Sequence, residues 1–80
     1  MMKLFKPRLV CAVTPQVNLV KGMYVMVDNG LESFWTHIAS FQSQCILGIV
    51  CTRLKKSRTY NFGDVIQFQS YNILDFFEKK

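Results

Sequence analysis

The sequence predicts an all-β protein: a small, strongly bent antiparallel sheet or SH3-like barrel with a short C-terminal helical turn, in one domain over residues 1–80. Three observations carry that prediction. Apolar side chains recur with a two-residue period through the middle of the chain, the spacing that lines one face of a strand. Turn-forming residues interrupt the chain about every 8–12 residues, the rhythm of short strands joined by tight connections. The intervals between them are rich in Val, Ile, Thr, Phe, Tyr and Trp, which pack well on a pleated surface. At 80 residues and 9.3 kDa the chain can build one modest core.

Each element follows in order. Residues 8–13 (RLVCAV) read as a first strand stopped by Thr14-Pro15, and residues 16–20 as a weaker second. Residues 22–28 (GMYVMVD) end at Asp28-Asn29-Gly30, where Asn-Gly supplies the positive φ angles of a tight turn. Residues 33–41 alternate as a strand, and Gln42-Ser43-Gln44 is short and polar enough for a hairpin loop. Residues 45–52 (CILGIVCT) follow, with Gly48 and the flanking turns weighing against a helix. A basic loop over residues 53–60 precedes the turn Asn61-Phe62-Gly63-Asp64 and a strand over residues 65–69. Residues 71–77 (YNILDFF) predict one helical turn that folds Ile73, Phe76 and Phe77 onto the sheet.

Composition narrows the function classes. Half the chain is hydrophobic and 19% is charged, a balance that excludes intrinsic disorder. No stretch approaches the ~18 uninterrupted apolar residues of a membrane span, so no membrane role is expected. The N-terminus is basic, but Lys6, Pro7 and Arg8 break the apolar stretch that a secretory signal requires. Three widely spaced cysteines leave at least one unpaired, which points to a reducing compartment and a cytoplasmic location. Ten Lys and Arg against five Asp and Glu give a net charge of +5 and favour acidic partners. The charge is uneven: Lys3, Lys6, Arg8 and Lys21 share residues 1–27 with no acid, and Arg53, Lys55, Lys56 and Arg58 share residues 53–63 with none.

The central hairpin is apolar on both sides. If Phe41 pairs with Cys45, then Trp35 opposes Cys51, His37 opposes Ile49 and Ala39 opposes Leu47. One face then carries these eight residues, and the other carries Phe34, Thr36, Ile38, Ser40, Ile46, Gly48, Val50 and Thr52. A sheet with one solvated face alternates apolar with polar, and this hairpin does not. Either both faces are covered within the domain, or one meets a second copy or a partner.

Several features between residues 21 and 77 recur together: Glu32 before Phe34-Trp35 opening a strand, Gly48 inside the next, Gly63-Asp64 before Ile66 and Phe68, and Asn72-Ile73 before Asp75-Phe76. In these the chain resembles the YegJ-like family of small uncharacterised β domains, over about 70% of its length. The motifs are turn and core residues, so the resemblance implies a bent β barrel or roll and no particular chemistry. Two departures from the family's pattern stand out. Cys45, Leu47 and Cys51 replace charged or polar outward residues, and residues 53–58 put four positive charges where the family has a neutral turn.

Candidate chemistry is sparse. Cys11, Cys45, Cys51 and His37 would make up a three-cysteine, one-histidine zinc set, but no Cys-x-x-Cys pair exists. On one strand Cys45 and Cys51 would stand ~20 Å apart at ~3.3 Å per residue, too far to share a metal or a disulfide. No metal or other cofactor is expected. His37 diagonal to Cys51 raises a nucleophilic pair for which nothing orients the imidazole. Asp28, Asp64 and Asp75 read as turn or cap acceptors, and the four glycines are scattered, so an enzyme is not expected. The basic loop carries more, because its cations sit beside Tyr60 and Phe62 and combine phosphate neutralisation with rings for stacking; a merely solvating loop is the alternative.

The expectation is therefore a non-catalytic interaction module that docks on an acidic macromolecule, either nucleic acid or an acidic protein. Arg53, Lys55, Lys56, Arg58 and Tyr60 would make the contact. Trp35, Phe41, Leu47 and Ile49 would form a self-association or partner face, and a homodimer fits that face. The second expectation is a phage- or mobile-element-encoded inhibitor that binds and blocks a host protein.

Overall fold

Alternation of apolar residues becomes alternation of burial in the computed structural model, which describes residues 4–11, 18–56 and 61–77. Six strands form one mixed sheet: β1 (Leu4–Phe5), β2 (Tyr24–Asp28), β3 (Ser33–Phe41), β4 (Ile46–Val50), β5 (Val65–Phe68) and, after a 3-10 turn at Ser70–Asn72, β6 (Asp75–Phe77). Their order is β1-β5-β4-β3-β2-β6. Strands β2 to β5 make an antiparallel meander, β6 returns antiparallel beside β2, and β1 lies parallel to β5. The fold is all-β with a short helical turn near its C-terminal end, as the sequence predicts. The sheet is open, however, so the barrel alternative does not close, and β1 makes it mixed rather than purely antiparallel.

One face of the sheet is the core. Val25, Val27, Phe34, Ile38, Val50, Ile66 and Phe68 are at most 3% exposed, with Ile46 at 7%. Met23 and Ile73 complete the cluster, and Phe5, Leu9, Leu19, Leu54 and Phe76 pack against it. The molecule measures 31 × 27 × 26 Å, nearly equal extents that a flat single layer could not give, so the sheet curls around its own core. Loops finish the enclosure. Beyond β5 the chain crosses the inner side to reach β2, where the Leu74 N–H donates to the Met26 carbonyl at 2.8 Å and Ile73 is buried on the way. Buried Asn72 ties this crossing together: its Oδ1 accepts from the Gln69 N–H at 2.9 Å and its Nδ2 donates to the Val10 carbonyl at 3.3 Å.

Four local readings change. Residues 8–11 form no strand; that arm is joined to β2 where the Val10 N–H donates to the Asp28 carbonyl at 2.8 Å, and residues 12–17 lie outside the described residues. At residues 28–33 only Gly30 has a positive φ, +90°, so the turn is not the two-residue Asn-Gly type. Instead the Asp28 and Asn29 side chains accept from the N–H groups of Gly30, Leu31 and Glu32 and build a longer loop. The β3–β4 register is as expected from Thr36↔Val50 to Ile38↔Gly48, but a bulge at Ala39 then shifts it to Ser40↔Leu47 and Phe41↔Ile46. Finally, residues 75–77 are strand rather than helix: Phe76 pairs with Val25 and faces inward, while Phe77 pairs with Tyr24 and faces outward.

Candidate interaction surface

The second face of the sheet is also apolar, and it is accessible. Cross-strand partners in a ladder share a face, so the registers define a single row through all six strands. It runs Leu4, Val65, Ile49, His37, Tyr24, Phe77. Every member is half-buried or exposed, with Leu4 at 53% and Phe77 at 49%. A parallel row adds Trp35 and Met26, partners across β2 and β3. Rings pack on one another here. Tyr24 stacks on Phe77 with centroids 5.1 Å apart and planes 14° apart, Trp35 meets Phe77 edge-on at 5.0 Å, and His37 lies 5.1 Å from Tyr24.

The basic loop adjoins this face. A shallow depression of ≈ 520 Å³ is lined by Tyr24, His37, Ile49, Cys51 and Phe62, among others. Phe62, 61% exposed, also lines a smaller depression with Arg53 and Leu54, and so connects the outward rings with the cations. Two anchors hold the loop. Leu54 packs on the core, and the Glu32 carboxylate accepts from the backbone N–H groups of Lys55, at 3.0 Å, and Lys56. Arg53, Lys55 and Lys56 are thereby left exposed.

The structure brings together Trp35, Leu47 and Ile49, all half-buried on the outward face, sets Arg53 beside it through Phe62, and holds Lys55 and Lys56 against Glu32 at the β2–β3 turn. It separates Phe41, which pairs with Ile46 of the inner face because of the Ala39 bulge and reaches the rim at 44% exposure. Arg58 and Tyr60 lie outside the described residues. Sequence reasoning missed Tyr24, Phe77, Leu4 and Val65. Residues 22–28 already held the signal for Tyr24 and Met26, since alternation with Val25 and Val27 puts them opposite the core. Phe77 was hidden by the helical reading of its segment.

Chemically reactive groups on this face are subdued. The Cys51 thiol donates to the Ile49 carbonyl at 3.2 Å, and burial pushes its pKa up, so it stays protonated where a nucleophile would need the thiolate. Cys11, Cys45 and Cys51 are free thiols. Among the described residues no three His, Cys, Asp or Glu side chains gather as a metal set, and no helix is long and apolar enough to cross a membrane. The fold and its outward face define a small all-β domain with an accessible apolar sheet face beside a cationic loop. No family model, curated protein or solved structure matches this chain.

Proposed function

We propose that this protein is a non-catalytic binding module that docks on an acidic macromolecule through its outward sheet face and the adjoining basic loop. One observation carries the reading: the row from Leu4 to Phe77 crosses all six strands without a buried member and meets Arg53 through Phe62. A contiguous apolar surface of this kind marks an interaction site. A net charge of +5, with three cations exposed at its border, selects for negative partners.

Chromatography on a heparin matrix tests the docking. Retention is expected to fall steeply between 50 and 200 mM salt, as it does when several cations contact a polyanion (range from). It should fall further in the double variant Lys55→Glu/Lys56→Glu. Retention indifferent to both changes would remove the proposal. An inhibitor of a host protein would use the same face with a protein as occupant, and a homodimer would use it for a second copy.

A further inference from the structure

We infer that the acidic partner is a single-stranded nucleic acid whose bases stack on the outward rings while its phosphates track the basic loop; this rests on the docking role proposed above. Surface chemistry separates the two kinds of acidic partner. Five ring side chains, Tyr24, Trp35, His37, Phe62 and Phe77, line one surface, and the most exposed two, Phe62 and Phe77, offer open ring area. The cations stand at the border of this surface and not within it. A single strand has that same layout, with flat apolar bases on one side and a continuous line of charge on the other. An acidic peptide supplies the charge but no flat faces. A duplex supplies the charge but keeps its base faces stacked inside, out of reach of a ring platform.

Phosphates beside Arg53 place the bases across Phe62 toward Tyr24 and Phe77, since Phe62 borders both depressions. Pinning of the loop by Glu32 and mutual packing of the rings mean that little has to be ordered on binding.

Fluorescence anisotropy of the full chain with labelled 12-nucleotide single strands of DNA and RNA, a 12-base-pair duplex and polyglutamate tests the inference. Both single strands are expected to bind more tightly than the duplex and polyglutamate and to quench Trp35 emission. Phe62→Ala and Phe77→Ala should each weaken the single strand about 5- to 150-fold, the usual loss for one stacked base, and Phe62→Ala, at the more exposed ring, should do so with thermal melting unchanged. Lys55→Glu/Lys56→Glu should reduce the slope of log affinity against log salt by about 1.4, two phosphate contacts at ~0.7 each. If polyglutamate or duplex binds as well as the single strands, or if both ring variants bind single strands normally, the inference is overturned and the docking role stands with another occupant. If no anionic polymer binds, both fall.

Discussion

Gly48 sits on the inner face of β4, between Ile38 of β3 and Ile66 of β5, where a β-branched residue would be the ordinary choice. A Cβ there would stand 2.7 Å from Cε1 of Phe68 and 3.3 Å from both the His37 carbonyl oxygen and the Thr36 Cβ. The Phe68 ring lies over the bare backbone and is 3% exposed, so it has no solvent to move into. Gly48→Ala is expected to destabilise by about 1–3 kcal/mol, the range for overpacking a tight core, and to lower the urea midpoint without changing the slope. Phe68→Leu in that background should recover part of the loss, a coupling measurable as a double-mutant cycle. From the sequence Gly48 reads as a strand glycine, but its cause lies 20 residues along the chain and appears only once β4 and β5 are in register. Cys51 shows the same limit. Its thiol is raised by burial, so less thiolate exists at any given pH and alkylation by iodoacetamide should reach half-maximal rate at a higher pH than for a free cysteine peptide. A midpoint below that of the peptide would reinstate a nucleophilic role.

Among the elements, the long strand β3 matches its sequence-predicted bounds because nine residues of alternation outweigh any competing pattern. The short edge strands escape notice. β1 has two residues and β6 three, and each exists because a distant strand offers it hydrogen-bond partners. The Ala39 bulge is equally silent in sequence, since an inserted residue changes no residue type, yet it moves Phe41 to the other side of the sheet. The basic loop has a tether that charge counting hides: the Glu32 carboxylate, in the β2–β3 turn, accepts from the backbone N–H groups of Lys55 and Lys56. Each carboxylate oxygen serves one N–H, so Glu32→Gln keeps a single good acceptor and Glu32→Ala keeps none. With each exposed bond contributing about 1 kcal/mol, trypsin cleavage after Lys55 and Lys56 should quicken about fivefold in the first variant and more in the second. Equal cleavage rates in all three proteins would show that Leu54 alone holds the loop.

For the molecule as a whole, both faces of the central hairpin are greasy in the sequence, and nothing local says which becomes the core. The decision is made by residues far from the hairpin: Leu9 from the N-terminal arm, Ile73 from the crossing behind β5, and Phe5 and Phe76 from the two edges all pack on the Phe34–Ile38–Val50 side. One curled sheet of this size has material to cover one face, and the opposite face keeps its apolar residues in contact with solvent. The two faces should therefore respond oppositely to the same kind of insult. Total stability at ~0.05–0.15 kcal/mol per residue is about 4–12 kcal/mol. Phe34→Ala empties a fully buried site and should remove about 3–5 kcal/mol of that, enough to populate unfolded chains at room temperature if the protein lies near the lower end. Leu47→Asp places a charge on the half-buried outward face, where the carboxylate keeps its water, and should cost less than about 1 kcal/mol while shifting any self-associated species to monomer. Urea denaturation paired with sedimentation velocity reads both quantities from the same samples. A Leu47→Asp chain as unstable as Phe34→Ala would mean that the outward face is a second core, and the surface on which the docking proposal stands would be gone.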